Sequence, residues 1–272
     1  MKYDPVKKSL GRLIKDSLFL RKLFYFLLDI LLLRAWHVRK TLRKVAPHFQ
    51  GKASVLDAGS GFGQYTWRLS RMNRRWTVTG IDIDREHVAD CNDFFRKAGL
   101  AGRVSFTAGD LTTMKDTDLY DLVLSVDVME HIKEDEKVFS NLFLAMKNEG
   151  ILIISTPSDK GGSDADDENS ESFIEEHVRN GYSIGEIKGK LEKAGFSDVE
   201  ASYTYGIPGN LSWKLSMKYP ILMLNRSRFF FFLLPFYYIV FFPLSAILNT
   251  FDVCIDHKSG TGLIVTARKN PK

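Results

Sequence analysis

Apolar residues recur at near-helical spacing through the first fifty positions. Short apolar runs separated by helical patterns follow. Leu10, Leu13, Ile14, Leu18, Leu20, Leu23, Phe24, Leu27, Leu28, Leu31 and Leu32 alternate with basic residues, which predicts helix across 1–50 with one heavy apolar face. Pro47 is expected to end it. Strands are then predicted around Val55-Leu56 and over 78–83, 104–107, 120–126, 150–155, 199–205 and 262–267. Helical patterns lie between them over 64–72, 86–98, 134–146 and 183–194, the second and fourth stopped by Gly99 and Gly195. Strand alternating with helix implies a parallel sheet covered on both faces. The run YDLVLSV at 120–126 is apolar enough to be a central strand.

One segment breaks this rhythm. Between the last two predicted strands lies an insertion over 206–257, containing FFFFLLPFYYIVFFPLSAIL at 229–248. Length and hydropathy qualify it as a transmembrane candidate. A single span is nevertheless excluded if the flanking strands share one sheet, because one crossing would place them on opposite sides of a bilayer. Pro235 and Pro243 are expected to break a continuous helix. The segment is therefore expected to be a kinked monotopic or re-entrant element, or an apolar lid buried on the protein. The run at 23–33 is too short for a span and contains Asp29. It also lacks a small-residue cleavage site, which argues against a signal peptide. The helix over 5–33 fits either a membrane surface or packing on its own domain or a second copy, while 34–44 is expected to fold back over the central pocket. Four regions follow: basic amphipathic helices at 1–46, a core at 47–205, the apolar insertion at 206–257, and a final strand and tail at 258–272.

Charge sharpens the membrane reading. The net charge is +5, but residues 1–50 hold twelve Lys/Arg against three Asp, and residues 159–176 hold eight acids against one lysine. Lys214, Lys218, Arg226 and Arg228 precede the apolar run, and 206–251 contains no acid. Cations beside aromatics suit anionic headgroups. An acidic loop near the pocket argues against nucleic acid as substrate, and its D-A-D-D-E run lacks the glycine turn of a calcium loop. The two cysteines, Cys91 and Cys254, lack metal-type spacing and imply a reducing compartment. A cytoplasmic protein, peripheral on the membrane, is the expectation.

The chemistry concentrates in SVLDAGSGFGQYTWRLSRMNRRWTVTGIDID, residues 54–84. A strand ends in Asp57, a glycine turn follows (Gly59, Gly61, Gly63), then a helix, then a second strand ending near Asp82. This is the layout of a nucleotide-type site at the carboxyl edge of a parallel sheet. Dinucleotides want G-x-G-x-x-G and a helix N-terminus facing pyrophosphate. Here the spacing is G-x-G-x-G, and Asp57 would repel a pyrophosphate but suit a cationic amino group. Asp82 can accept hydrogen bonds from ribose hydroxyls, and Asp84 is a helix N-cap candidate.

Together with Asp110 in AGD and the stretch SVDVMEHI at 125–132, this resembles the class I S-adenosylmethionine methyltransferases, and in particular the ubiquinone-biosynthesis-type small-molecule O-methyltransferases. The resemblance implies an α/β, Rossmann-like seven-stranded sheet with its last strand antiparallel, plus the N-terminal helical extension and the apolar helical insertion. It assigns Asp57, Gly59, Gly61 and Gly63 to the methionine part of S-adenosylmethionine, Asp82 to the ribose and Asp110 to the adenine. Ser60, Ile83, Leu111 and Asp127 also belong to the implied cofactor set.

Asp127, Glu130 and His131 are then expected on the turn beside the transferred methyl. Three roles stay open: a pocket-shaping pair, a general base at His131, or a divalent metal held by all three that acidifies a substrate hydroxyl. Asp127 stands where metal-dependent relatives have glutamate, which shortens the reach. His177, at the end of the acidic loop with Glu175, Glu176 and Arg179, is a second base candidate or a packing residue. The implied acceptor is a lipophilic small molecule or lipid. A binding module with a changed or lost methyl transfer, and a membrane-associated scaffold, are the competing classes.

Overall fold

A computed structural model describes residues 17–161, 178–227 and 229–270. Residues 1–16, where helix is expected, the acidic segment with Glu175, Glu176 and His177, and Arg228 lie outside the described residues. Two helices come first, α1 (Leu18–Leu31) and α2 (Leu33–Val45), separated by Leu32, whose backbone is extended. The break at Leu32 separates the helix expected to end near residue 33 from the segment expected over 34–44. Ser17 caps α1 by accepting the Leu20 N–H at 3.3 Å.

The core runs β1 (Ala53–Ala58), α3 (Gln64–Met72), β2 (Trp76–Asp82), α4 (Arg85–Lys97), β3 (Val104–Ala108), β4 (Tyr120–Val126), α5 (Asp135–Ala145), β5 (Met146–Pro157), α6 (Ile184–Ala194), β6 (Ser197–Thr204) and β7 (Gly262–Arg268). One seven-stranded sheet results, in the order β3-β2-β1-β4-β5-β7-β6. β7 is antiparallel to both neighbours, and the pairings from β3 through β5 are parallel. The Rossmann-like sheet with a reversed last strand stands as expected. β5 starts earlier than its apolar run, because Met146 pairs with Tyr120 before a register shift. Each sheet face buries its own cluster: Val55, Leu69, Val78, Phe95 and Ile153 on one, Leu56, Phe139, Leu142 and Leu191 on the other. β1 pairs with β2 on one side and β4 on the other, so strand order reverses at the β1/β4 carboxyl ends, where ligands sit in open α/β sheets.

The insertion leaves the carboxyl edge at the end of β6 and returns at the start of β7. It forms α7 (Ile207–Trp213), a π turn (Lys214–Lys218), α8 (Tyr219–Arg226) and α9 (Phe230–Cys254). Both prolines lie inside α9, so the expected break at Pro235 and Pro243 does not occur. Each proline deletes one N–H donor from a 25-residue ladder, and packing against α7 supports the rest. The contacts Gly209 to Asp252, Ser212 to Ser245, and Leu215 and Ser216 to Tyr237 and Tyr238 fix an antiparallel hairpin.

Candidate functional site

The turn after β1 is held as a rigid cradle. Gly59, Gly61 and Gly63 all have positive φ, at 81°, 47° and 78°, which glycine adopts without steric cost. Gly59 and Ser60 N–H groups donate to the Ile81 carbonyl at 2.8 and 2.9 Å, stitching the turn to β2. Asp82 accepts the Gly61 N–H at 2.7 Å and the Asp84 N–H at 2.9 Å. Asp84 caps α4 as expected, accepting from Glu86 and His87. Beyond Asp82, Ile83 is 74% exposed, an apolar side chain at a strand end suited to the face of a base. Asp110 accepts the Thr112 N–H at 2.8 Å, and Leu111 is buried beneath it.

Asp57 is almost wholly buried and accepts the Thr66 hydroxyl at 2.6 Å. Burial pushes its carboxyl up to about 6, because desolvation penalises the charged form. Among the described residues, the hydroxyls of Ser60, Tyr65 and Ser125 are buried with no partner. Such atoms are costly unless a ligand satisfies them. Around an acid suited to an ammonium group, they fit a polar, zwitterionic ligand such as the methionine end of S-adenosylmethionine. A group whose folded pKa is raised costs stability once ionised, so the Asp57 contribution falls as pH rises from about 4 towards 6. An ammonium ligand prefers the ionised acid. S-adenosylmethionine affinity is therefore expected to rise from pH 5 to 7 with a midpoint about 6. Calorimetry across that range should show the rise, and Asp57→Asn should flatten it.

After β4 the chain turns sharply. Asp127 takes a positive φ of 52°, and its carboxylate pairs with Arg34 at the start of α2. Glu130 is turned inward, accepts the Thr156 hydroxyl at 3.1 Å and is raised by burial. His131 lies on the exposed side of the same turn. The arrangement separates the two: Glu130 holds the turn, and His131 is the side chain left facing outward. Among the described residues, no three His, Cys, Asp or Glu gather as a metal-holding group, so Asp127, Glu130 and His131 do not converge.

Several supporting residues carried no signal in the sequence. Arg21 is buried, pairs with Asp90, and donates to the Phe62 carbonyl at 3.0 Å, which the Tyr25 hydroxyl also reaches at 2.5 Å. α1 thereby clamps the glycine turn, while Asp29 on its next turn meets Arg68 at 2.5 Å and Gln64 at 3.0 Å. Asp135 gathers Arg179, Tyr182 and Lys190 at 2.6–2.7 Å. With the Arg179 bond to the Ile132 carbonyl, it ties the exit of the acidic loop to the Glu130–His131 turn. A residue spaced i, i+4 from Arg21 and capable of meeting it, Tyr25, was the only local hint.

Comparison with known proteins gives the family and the fold. Residues 50–197 match the family model described as a methyltransferase domain. The ubiquinone biosynthesis O-methyltransferase of Rickettsia canadensis is 26% identical over 117 residues, 42% of this chain and 48% of that protein. Phosphoethanolamine N-methyltransferase 1 of Triticum aestivum is 31% identical over 151 residues, 54% of this chain and 29% of that protein. The chain spans about half or less of the length of these curated relatives. Among solved structures, Haemonchus contortus phosphoethanolamine N-methyltransferase 2 superposes with a TM-score of 0.61 at 20% identity, covering 87% of this chain and 53% of that one. The cyclase SpnF superposes at 0.56 and 19% identity, covering 86% and 81%. These two likenesses establish the fold.

Proposed function

Since the chain belongs to the S-adenosylmethionine-dependent methyltransferase family, we propose that it methylates an oxygen of a lipophilic small molecule or lipid while docked on the cytoplasmic face of a membrane. When bound, the cofactor supplies an electrophilic methyl on a sulfonium. The residues of this chain do the rest. Asp57 and the glycine turn hold the methionine end, Asp82 and Ile83 the ribose side, Asp110 and Leu111 the adenine. Asp127 borders the methyl, and catalysis comes mainly from alignment of nucleophile and methyl. His131 accepts the acceptor's proton from its exposed position on the turn, and Glu130 positions that turn.

The membrane half of this reading rests on one observation: the hairpin is inside out. In α9, Phe232, Phe236, Ile239 and Val240 are 66–72% exposed, while Ser245, Asn249 and Asp252 are 0–1% exposed. Gly209, Ser212 and Ser216 face that polar seam and are buried. The Tyr237 and Tyr238 hydroxyls donate to the Leu215 and Ser216 carbonyls at 2.8 and 2.9 Å, satisfying a loosened stretch of backbone. A helix in water turns its apolar stripe inward. Small and polar residues at the helix contact with an apolar exterior are the arrangement lipid demands. Each exposed Phe, Ile or Val here leaves about 1.5–3 kcal/mol of burial unrealised in water. α9 is also long and apolar enough, by length and composition, to cross a membrane, yet the pairing of β6 with β7 requires the chain to return. A re-entrant hairpin in one leaflet meets both conditions. α1 repeats the pattern, with Arg21 and Tyr25 inward and Phe19 and Phe26 exposed.

Co-sedimentation with anionic vesicles tests this. The intact chain should bind, with a fraction resistant to high salt because insertion is not screened. Phe236→Glu with Ile239→Glu should weaken binding by about tenfold or more, since one charge in hydrocarbon costs about 2.5–3.5 kcal/mol. An intact chain that stays in the supernatant at low salt would overturn the membrane reading.

A further inference from the structure

Two irregularities in the fold border one cavity. Leu32 interrupts the helix between α1 and α2, and the π turn interrupts the hairpin. Between them lies a space of about 130 Å³, walled by Leu31, Leu32, Trp213 and Met217 and ended by Arg34 and Tyr205. π turns inside helices often mark functional sites. The lining mixes apolar side chains with polar ones, Ser216 and Tyr205 among them, and Arg34 brings a cation to it. Arg34 pairs with Asp127 through one terminal nitrogen, its backbone N–H donates to the Tyr205 hydroxyl at 2.9 Å, and its buried Nε has no acceptor among the described residues. A guanidinium offers five N–H donors in a fixed fork, so this one has donor capacity left beside the carboxyl end of β4.

We propose that this cavity is the acceptor subsite, and that it takes an acidic amphiphile: an anionic carboxylate or phenolate oxygen, separate from the hydroxyl that gives its proton to His131, on the Arg34 guanidinium, with the first carbons of an apolar body between Leu32 and Trp213. The inference rests on the methyltransferase reading and names the acceptor class for it. An acid held on Arg34 would lie near Asp127, with which Arg34 pairs and which borders the methyl in that reading. Arg34 is thus an acceptor-binding residue that also fixes Asp127 in its left-handed conformation. Room for only a few carbons at the charged end agrees with recognition of the head and not of the whole chain.

Trp213 lines the cavity and provides the readout. Dibrominated stearate should quench Trp213 fluorescence saturably, and Trp213→Phe should remove that signal. Its uncharged methyl ester should bind about tenfold more weakly or worse, the loss expected when a charge-assisted hydrogen bond goes unmade. Arg34→Gln should weaken stearate binding by a similar factor of about ten, with Arg34→Lys intermediate because the charge remains without the planar fork. Leu32→Trp should fill the space and abolish the quenching. In Trp213→Phe and Leu32→Trp, S-adenosylmethionine affinity by calorimetry should stay within about twofold, the scatter expected of residues outside the cofactor contact set. Equal binding of acid and ester, or quenching that survives Trp213→Phe, would overturn the proposal. So would an Arg34→Gln variant that loses S-adenosylmethionine but keeps stearate, since Arg34 would then be a cofactor residue. Cofactor calorimetry on the unsubstituted chain reports separately on the methyltransferase reading, so the two failures are distinguishable.

Discussion

Gly59→Ala should abolish S-adenosylmethionine binding while leaving most of the sheet folded. The position fails for two independent reasons. Its φ of 81° lies in the left-handed region, where a non-glycine residue costs on the order of 1–2 kcal/mol. A Cβ there would also overlap both methyls of Val128, in the stretch that follows β4. Either the glycine turn or the β4 turn must move, and both belong to the proposed cofactor site. Loss of about a hundredfold or more in affinity is expected, because displaced donors near a charged ligand forfeit several charge-assisted bonds of about 1.5–3 kcal/mol each. Val128→Ala in the same chain should recover thermal stability by removing the overlap, without restoring full affinity, because the backbone cost stays. Calorimetry and a thermal melt separate the two effects. A Gly59→Ala variant that binds S-adenosylmethionine like the original would show that the turn is not the cofactor cradle.

Asp252→Ala should be the most destabilising single change in the hairpin. The carboxylate is fully buried at the root of α9. It is 2.9 Å from His37 Nε2 and 3.1 Å from His257 Nε2, and accepts the Tyr205 N–H at 3.1 Å and the Gly209 N–H at 2.9 Å. These groups come from α2, the loop before β7, the end of β6 and α7, so one side chain joins the hairpin to the core. Removing it leaves His37 and the Tyr205 and Gly209 N–H groups without their acceptor, while His257 keeps the Asp252 backbone carbonyl at 2.9 Å. Each buried donor left unsatisfied costs about 1–3 kcal/mol, and a total of about 3–5 kcal/mol is, for a chain of this size, a fall in Tm of roughly 5–9 °C. Asp252→Asn should cost less, because its carbonyl oxygen can still accept. A melt of the alanine variant within a degree or two of the original would show that the network is dispensable.

The contrast between these two residues explains what could be read in advance. Gly59, Asp57 and Asp82 were legible because the cofactor turn is local: strand, turn, helix and acid follow one another within thirty residues, and their spacing carries the geometry. The sheet was legible for the same reason, through alternating apolar runs. Asp252 was not, since its four partners lie up to 215 residues away and nothing in an apolar helix ending in an acid indicates which donors will meet it. Arg21 and Arg34 were hidden in the same way among twelve basic residues in the first fifty: charge composition marked the region, and only packing shows that Arg21 meets Asp90 and Arg34 meets Asp127. The prolines of α9 misled because proline was weighed as a breaker in isolation, whereas a long helix with a packed partner tolerates the loss of single ladder bonds. The topological argument was sounder than the local one. A segment joining neighbouring strands must return to its starting side, and α7 through α9 do so as a hairpin.

The most direct measurement of the whole account is transfer of labelled methyl from S-adenosylmethionine by the intact chain in the presence of vesicles made from membrane lipid extract. Label should appear in the organic-extractable fraction, and the Phe236→Glu, Ile239→Glu hairpin variant should lose that transfer while binding S-adenosylmethionine as the unsubstituted chain does. Label confined to a water-soluble product, or transfer unaffected by the charged hairpin, would contradict it.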